Sequence, residues 1–585
     1  MSFVHILPSD VIAKIAAGEA VDRPASVVKE LLENAIDAHA SFIEIHLKDA
    51  GKELVHIKDN GSGISPEDLK KIFQRHATSK ITAIEDLETL HSMGFRGEAL
   101  YSIAAVSDVT LCSKTAQDEG WQIHLQGGVR QNLQPFGRAG SGTDIKVSEL
   151  FFNTPARRKF LKNNSTELNQ ILNVVLAYTL IYPEKRFLLT HANRTLLDLR
   201  PAATMIDRVA AALNVEMNHL LETDQEFVED QIRIRLILGD INIQRPRRNL
   251  QYIFINQRPI ESKALSFALN DAYKLILPPG VYGCFMVHLK VNPANIDVNI
   301  HPTKREVRLK DESKIVSLLR RMAEYQLMNK GQIKKALDIK GGIASDEIIF
   351  APDQVLSQFH PISAAQALRN TAFQSDKYAQ NAHLELPLDF QLFGKENDLR
   401  SKLTNSRFIG GFLKKYLLFE SPESLLILDQ HAAQERILFE KFKKQLESAK
   451  VETQPLLTPL LIKLSPQEKI TWEETHEKLA LAGIETNLFD TDTIAIQTEP
   501  LLLKNIEHVV RELLSGGDLS RLDLEALAKQ ACKASVRAGD KMELLEVEYQ
   551  KNELLTCQDP FICPHGRPTM IEVDKTFLDR QFLRI

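Results

Sequence analysis

The hydrophobic pattern of this chain is interrupted over one long internal stretch. Between about residue 335 and residue 395, periodic apolar positions give way to Gln, Asn, Ala and Ser with isolated apolar residues. A flexible coil of roughly 60 residues has a root-mean-square span of about 45 Å. We therefore expect two globular parts joined by a flexible linker over residues 333–397, so that the parts can separate or close on each other.

The composition excludes several classes of protein. The chain has 585 residues, too many for one hydrophobic core, and its 44% hydrophobic and 25% charged content is that of an ordinary globular protein. Neither a basic segment with a long apolar segment at the start nor a later run of about eighteen apolar residues is present. We expect a cytoplasmic protein with no membrane partner.

The cysteine content and the net charge further restrict which kinds of binding site the chain can carry. Five cysteines in so long a chain do not make a disulfide framework, but Cys532, Cys557 and Cys563 fall within the last 54 residues. A net charge of -5 argues against a globally basic nucleic-acid binder, because phosphate neutralisation needs clustered Lys and Arg. Any DNA contact must come from local patches, and the candidates are Arg157, Arg158, Lys159, Arg245, Arg247, Arg248, Lys304, Arg305, Arg308 and Lys310.

A helix is predicted over Arg23–Asp37, with Val27, Leu31 and Ala35 spaced along one face. Glu30 and Asn34 lie four residues apart on it, which places a carboxylate and a carboxamide about one turn apart. Such a pair can orient a water and hold a phosphate-bound Mg²⁺. Taken by itself, a Glu-x-x-x-Asn pair is more often a solvated helix face.

Three glycine-containing segments follow this helix, and the phosphate loop of Walker-type ATPases is absent from the sequence. The first, DNGSG at residues 59–63, follows a predicted strand, and its glycines allow a tight turn or close approach of a ligand. The second, GFRGEAL at 94–100, precedes a helical run, where free backbone N–H groups bind phosphate. The third, GSGT at 140–143, opens a strand. Each segment alone could be a simple turn.

In this order, the Asn-bearing helix, the Asp-x-Gly-x-Gly segment, the Gly-rich lid and the Gly-Thr strand resemble the Bergerat-type ATP fold. That fold is shared by gyrase-like topoisomerases, Hsp90 chaperones, sensor histidine kinases and MutL proteins. The resemblance implies that Asp59 accepts from the adenine amino group, Asn34 ligates Mg²⁺ and Glu30 is the general base. The implied nucleotide-binding residues are completed by Gly61, Gly63, Thr78, Gly94, Phe95, Arg96, Gly97, Gly142 and Thr143.

Longer blocks resemble the MutL family in particular. They are IAAGEAVDRPASVVKELLENAIDA at 15–38, GFRGEAL at 94–100, LFFNTPARRKFL at 150–161 and DVNIHPTK at 297–304. The resemblance implies that Lys304 reaches the γ-phosphate. Without the resemblance, Lys304 would be interpreted as a surface lysine.

The implied fold class is mixed α/β. We expect a Bergerat-type ATPase sandwich over residues 1–210, a ribosomal-S5-like domain over 211–332, the linker, and a C-terminal α/β dimerisation and endonuclease domain over 398–585. The family also implies a homodimer, a MutS-type mismatch sensor as partner, association with the nucleoid, and duplex DNA bound without sequence specificity. Arg157, Arg158, Arg247, Arg248 and Arg258 are the expected DNA contacts, although Arg258 alone could be a solvated turn residue.

The C-terminal part carries possible metal ligands. Asp429 follows the apolar strand 425–428, and His431 and Glu435 then lie four residues apart on a predicted helix. Cys532, Cys563 and His565 add two thiolates and an imidazole, and such a mixture suits Zn²⁺, or Mn²⁺ at its oxygen-rich end. The alternative interpretation is a helix-capping Asp, a surface His and buried thiols.

These motifs are similar to those of the nicking branch of the MutL family, with Lys533 where many members carry Arg. The resemblance implies an ATP-dependent endonuclease in which Asp429 and Glu435 act at the metal. The alternative function is a non-nucleolytic matchmaker with a structural zinc. A short segment, QPLLTP at 454–459, resembles a peptide that docks on the replication sliding clamp through Gln454, Leu457 and Pro459, or it is a turn leading into a strand.

Overall fold

The computed structural model describes residues 21–78, 93, 97–137, 139–278, 280–297, 307–329, 396–515, 524–535 and 542–584. The predicted linker, apart from residues 396 and 397, lies outside these ranges, as do Gly94, Phe95, Arg96 and Lys304. The chain forms two compact units. One comprises Met1–Gln332 with Phe442–Ser535, and the other comprises Ile333–Lys441 with Val536–Ile585.

The first unit begins with an eight-stranded sheet in the order β5-β4-β3-β6-β2-β1-β7-β8, in which the β1–β7 pair is parallel and the other pairs are antiparallel. Its strands are β1 Phe42–Lys48, β2 Leu54–Asp59, β3 Asp108–Lys114, β4 Trp121–Gln126, β5 Val129–Pro135, β6 Gly142–Ser148, β7 Arg186–His191 and β8 Arg194–Leu199. The helices of this region are α1 Pro24–Asp37, α2 Pro66–Leu69, α3 Ala99–Ala105, α4 Pro155–Phe160, α5 Asn164–Ile181 and α6 Met205–Leu213.

Helix α1 confirms the helix predicted from the sequence. Pro24 occupies its first turn, where a missing N–H costs nothing, and Arg23 precedes it in an extended conformation. Val27, Leu31 and Ala35 are all buried, as their spacing predicts. They belong to one hydrophobic cluster with α5 and the sheet, so the opposite side of α1 is left to carry polar groups.

A second sheet follows, in the order β13-β12-β15-β10-β9, with α7 and α8 in contact with each other and sharing its hydrophobic cluster. Its strands and helices are β9 Leu220–Phe227, β10 Ile232–Gly239, β12 Gln251–Ile255, β13 Arg258–Pro259, β15 Phe285–Val291, α7 Lys263–Tyr273 and α8 Glu312–Asn329. Two short pairs, β11 Gln244–Arg245 with β14 Tyr282–Gly283 and β16 Ile296–Asp297 with β17 Arg308–Leu309, complete the region.

The segment Phe442–Ser535 also belongs to the first unit. It contains the sheet β21-β23-β22 and three helices, with the bounds β21 Thr453–Lys463, β22 Thr486–Leu488, β23 Thr493–Pro500, α11 Pro466–Leu481, α12 Ile506–Ser515 and α13 Leu524–Ser535. Helix α11 contacts α5, and Ile470 joins the cluster that contains α1. The predicted domain over 398–585 is therefore divided between two compact units, because part of it packs on the N-terminal half.

The second unit contains a four-stranded sheet in the order β18-β19-β20-β24. Its elements are α9 Glu396–Thr404, β18 Arg407–Phe412, β19 Tyr416–Glu420, β20 Ser424–Asp429, α14 Leu544–Thr556, β24 Met570–Asp574 and α15 Lys575–Gln581, and α10 Gln430–Glu447 begins in it. The predicted strand 425–428 and the helix after it are confirmed, as is the mixed α/β class. Among the described residues, no helix is long and apolar enough to cross a membrane.

A buried ion pair fixes the segment Phe442–Ser535 to the N-terminal half. Arg245 Nε lies 3.3 Å from Glu468 Oε1, and the two side chains are 7% and 0% exposed. Burial lowers the pKa of Arg245, while the charge of Glu468 opposes that shift. Glu468 also closes a capping box with Ser465 at the start of α11, so one carboxylate serves both the helix and the interface.

We predict that Glu468→Gln lowers the free energy of unfolding of the first unit by about 3–5 kcal/mol, because it leaves the Arg245 charge buried without its counterion. The matched control is Glu473→Gln on the same helix, whose partner Arg194 is 43% exposed. That change is expected to cost about 1 kcal/mol or less. Urea denaturation followed by the fluorescence of Trp121 and Trp472 measures both, and equal effects would contradict the prediction.

Candidate functional site

A cleft of about 2120 Å³ lies beside α1 in the first unit. Glu30 and Asn34 line it from α1, and Asp59 lines it from the end of β2. The cleft thus brings together the three residues that the resemblance to the Bergerat-type fold implies as general base, Mg²⁺ ligand and adenine acceptor. The apolar side chains of Ile57 and Ile145 also line the cleft, and such side chains suit the flat apolar faces of a ring such as adenine.

Asp59 is held in place by backbone donors. Its Oδ1 accepts from the N–H of Gly61 at 2.8 Å and from the N–H of Thr143 at 3.2 Å, and the residue is 8% exposed. These bonds join the loop after β2 to the start of β6, two strands that are neighbours in the sheet. The carboxylate therefore has a fixed orientation at the edge of the cleft.

The other predicted nucleotide ligands within the described ranges lie on or next to this wall. Gly63, Thr78, Gly97 and Thr143 line the cleft, and Gly142 precedes Thr143 in β6. Gly63 has a φ of +73°, and a Cβ there would lie 2.0 Å from the carbonyl oxygen of Lys114. Glycine is required at this position because any side chain would collide with the backbone.

A charged group next to Glu30 was not predicted. Lys29 Nζ lies 3.3 Å from Glu30 Oε1 and 3.3 Å from Glu33 Oε1. Glu33 is buried, and its Oε1 also accepts from the hydroxyl of Tyr178 on α5. Burial lowers the pKa of Lys29, but the charges of Glu33 and Glu30 raise it more, so its pKa lies above the ordinary value.

A second group of functional side chains lies in the second unit. One ligand atom each from Glu435, Cys563 and His565 lies within 4.8 Å of the others, and no other group of this kind occurs among the described residues. Glu435 comes from α10, whereas Cys563 and His565 come from a loop that precedes β24. One carboxylate, one thiol and one imidazole form a donor set that fits Zn²⁺.

The loop is a tight turn fixed by its own backbone. Cys563 N–H donates to the carbonyl of Arg567 at 2.7 Å, and Gly566 N–H donates to the carbonyl of Cys563 at 2.9 Å. Gly566 has a φ of +82°, a conformation that glycine adopts without strain. The turn places Cys563 inside, at 2% exposure, and leaves the His565 side chain about one-third exposed.

Two residues of α10 anchor this part of the chain. The Arg436 Nε donates to the carbonyl of Ile562 at 2.5 Å. Glu440 accepts from the N–H groups of Gln558 and Asp559 at 2.6 and 3.2 Å. These bonds hold the residues just before Cys563 against the part of α10 that follows Glu435.

The remaining candidates near Glu435 have different surroundings. Asp429 Oδ1 accepts from the N–H groups of His431 and Ala432, both at 2.9 Å, and thereby caps α10. His431 Nε2 lies 3.3 Å from Glu435 Oε1, and His565 Nδ1 lies 3.3 Å from Glu435 Oε2.

The hydrogen bond to Glu435 raises the pKa of His431. Burial opposes ionisation of Glu435, but the two imidazoles lower its pKa overall, so this residue is a carboxylate.

The other two cysteines of this region are also buried. Cys532 lies on α13 in the first unit, at 1% exposure. Cys557 is 5% exposed, and burial raises its pKa to about 12.

Three family models match successive parts of the chain. Residues 22–132 match the model described as histidine kinase-, DNA gyrase B-, and HSP90-like ATPase. Residues 210–327 match the model of the DNA mismatch repair protein, C-terminal domain, and residues 409–542 match the MutL C-terminal dimerisation domain.

Full-length relatives decide the family. The DNA mismatch repair protein MutL of Clostridium acetobutylicum is 32% identical to this chain, and the match covers 100% of both chains. This chain belongs to the MutL family of DNA mismatch repair proteins. The MutL protein of Clostridium tetani is also 32% identical, with 100% of both chains covered. The solved structure of the Aquifex aeolicus MutL ATPase domain complexed with ADP is 28% identical and covers 52% of this chain and 97% of that chain, at a TM-score of 0.39.

The expected DNA contacts of this MutL-family chain lie in varied surroundings. Arg157 is half-buried, and Arg158 is exposed with its Nη2 at 3.2 Å from Glu149. Arg247 lies 3.9 Å from Glu512, and the Arg248 guanidinium lies 4.8 Å from the centre of the Tyr282 ring. Arg258 lines the cleft. Their contact with DNA stays a prediction.

The segment at 454–459 lies within β21, not in a turn before it. The pairing of β21 with β23 is irregular between Pro455 and Leu460. Leu457 and Pro459 are exposed there, and Gln454 Nε2 donates to Glu499 at 2.7 Å. The docking of this segment on a clamp stays a prediction.

Some of the residues near these sites could have been predicted from local sequence spacing, and others could not. The Lys29–Glu33 pair has the i, i+4 spacing of a helical ion pair, so it was open to prediction once α1 had been recognised. Tyr178 and Arg436 reach their partners across the fold. No local pattern in the sequence identifies such contacts.

We predict that Gly63→Ala weakens ATP binding. The side chain would meet the Lys114 carbonyl in a left-handed backbone conformation, and strain of about 1–3 kcal/mol corresponds to roughly 5- to 150-fold in affinity. Gly137→Ala is the control, because a Cβ there meets nothing within 4 Å. Equilibrium titration with ATP and Mg²⁺ checks both variants, and an unchanged affinity of Gly63→Ala would contradict the assignment.

Proposed function

We propose that this protein is an ATP-gated endonuclease of mismatch repair, which nicks one strand of duplex DNA through a metal site in its C-terminal part. The observation that carries the nuclease proposal is the convergence of Glu435, Cys563 and His565, from a helix and a separate loop, on one small volume. If these residues served only to pack the core, the buried Glu435 carboxylate would not lie between the imidazoles of His431 and His565. Burying a charge is costly unless it is paired.

ATP is proposed to bind in the cleft beside α1. Asp59, fixed by two backbone donors, accepts from the adenine, and Asn34 supplies an amide oxygen to Mg²⁺ on the phosphates. Glu30 then orients and deprotonates the attacking water. Gly94, Phe95, Arg96 and Lys304, which lie outside the described residues, are proposed to enclose the phosphates. Closure of this kind would link ATP binding to the arrangement of the two domains.

The C-terminal metal is proposed to be Zn²⁺ or Mn²⁺, held by Glu435, Cys563 and His565, with Asp429 and His431 as further candidate ligands. The role of Cys532 as a ligand stays a prediction. A bound metal supplies an activated water and stabilises charge on the phosphate that is cleaved. Arg436 and Glu440 hold the loop to α10, and His431 keeps the Glu435 carboxylate in place. The chain's own groups thus orient the ligands before any metal binds.

Other partners follow from the family and from exposed groups. We propose a homodimer through the C-terminal dimerisation domain, a MutS-type mismatch sensor, and duplex DNA bound without sequence preference along Arg157, Arg158, Arg247, Arg248 and Arg258. The fully exposed Leu457 favours docking of β21 on a sliding clamp, because an apolar side chain projecting from an irregular strand suits an apolar pocket on a partner. With these partners, we propose that the protein acts in the cytoplasm, at the nucleoid.

We predict slow hydrolysis of ATP that requires Mg²⁺. Glu30→Ala is expected to bind ATP normally but to hydrolyse it about 10²–10⁴-fold more slowly, the usual contribution of a general base. Asn34→Ala is expected to impair both Mg²⁺-dependent binding and turnover, because it removes a ligand. Phosphate release and ATP titration measure the two effects. Undiminished hydrolysis by Glu30→Ala would show that the base is another residue.

We predict that the protein nicks supercoiled plasmid in the presence of Mn²⁺ and ATP, and that Asp429→Asn and Glu435→Gln abolish nicking. An amide is a neutral and poorer metal ligand, yet Asn at 429 can still cap α10, so the fold and the ATPase should survive. Glu447→Gln is the control, because that side chain is 63% exposed at the end of the same helix, α10.

The alternative is a non-nucleolytic matchmaker with a structural zinc. It predicts that Cys563→Ser and His565→Ala lower the melting temperature of the second unit, since metal binding contributes to folding, whereas Asp429→Asn has no effect in any assay. Wild-type protein that leaves the plasmid intact even with sliding clamp loaded on it would rule out the nuclease and support the matchmaker.

A further inference from the structure

Lys29 occupies an unusual place in α1. Residues adjacent in a helix sequence normally point about 100° apart, so Lys29 and Glu30 would not be expected to meet. Nevertheless, the Lys29 ammonium lies 3.3 Å from Glu30 Oε1. The long lysine side chain must therefore turn along the helix surface toward the cleft, which it lines together with Glu30 and Glu33.

Glu33 explains why Lys29 turns this way. Its Oε1 lies 3.3 Å from the same ammonium, and its side chain is 8% exposed. The hydroxyl of Tyr178, which is 1% exposed, donates to that same oxygen. Tyr178 has a pKa well above its ordinary value, because of burial and then the charge of Glu33, so it remains a donor at neutral pH. The contacts form a chain from α5 to Glu30.

We propose that Lys29 is a positioning residue for ATP hydrolysis, whose ammonium holds the Glu30 carboxylate in the orientation that activates water. This inference rests on the proposed role of Glu30. A general base must keep its oxygen within hydrogen-bond reach of one water, and a misplacement of about 1 Å can cost about 100-fold in rate. Lys29 fixes Glu30, while Glu33 and Tyr178 fix Lys29.

The test measures kcat for ATP hydrolysis and equilibrium ATP affinity of the full-length protein with Mg²⁺. We expect Lys29→Met to lower kcat by about 10- to 100-fold and to leave the ATP affinity within about twofold. Lys29→Arg should recover most of the rate, because it restores a cation. Lys48→Met is the control, since Lys48 is exposed and pairs with Glu53 at the surface.

Tyr178→Phe keeps the ring and removes one hydroxyl, so it tests the chain of contacts with little risk to the fold. We expect a smaller loss of kcat than for Lys29→Met, and no additional loss when both changes are combined, because coupled residues are not additive. Additive losses would show that Tyr178 acts on the fold and not through Lys29.

Two results would overturn the inference. Weaker ATP binding by Lys29→Met would mean that Lys29 contacts the nucleotide itself, and an unchanged kcat would mean that Glu30 needs no such support. Glu30→Ala, assayed in parallel, separates this inference from the proposed function. If Glu30→Ala hydrolyses ATP normally, the base assignment fails; if it is inactive while Lys29→Met is fully active, the positioning role alone fails.

Discussion

The cleft proposed to bind ATP depends on how α1 packs against α5 and the eight-stranded sheet. Val27, Leu31 and Ala35 lie in the core, and this burial sets the rotation of the helix about its axis. With that rotation fixed, Glu30 and Asn34 must face the cleft. A helix that turned by one residue would bury these polar side chains and expose apolar ones, at a cost of several kcal/mol. The same packing that stabilises the fold therefore positions the residues assigned to ATP hydrolysis.

The candidate metal site depends on a comparable constraint in the second unit. Helix α10 carries Glu435, and Arg436 and Glu440 on the same helix hold the loop that carries Cys563 and His565. Hydrogen bonds of Arg436 and Glu440 with the backbone of the loop thus bring the candidate ligands together. Neither of these two side chains is itself a candidate metal ligand. Such support is usual around metal sites, where the groups behind the ligands set their orientation.

The segment Phe442–Ser535 packs on the N-terminal half of the first unit. Gln467 at the start of α11 donates to Asn173 on α5 at 2.9 Å, and Asn173 lines the cleft beside α1. The Arg245–Glu468 pair buries opposite charges at the same contact. A segment that matches the family's dimerisation domain thereby contacts α5, a helix that also lines this cleft.

The sequence by itself determined the local elements and the family. The helix bearing Glu30 and Asn34, the strand before residues 59–63, the strand at 425–428 and the order of the glycine segments all follow from patterns within a few residues, where backbone geometry fixes which side chains share a face. Tertiary structure alone decided that Tyr178 meets Glu33, that Glu435 meets Cys563 and His565, that Asp429 caps α10, and that Phe442–Ser535 joins the N-terminal half. Except for the Asp429 cap, these contacts join elements far apart in the chain. For Asp429, local spacing was compatible with both a cap and a metal ligand, and side-chain orientation in the folded protein distinguishes which hydrogen bonds form.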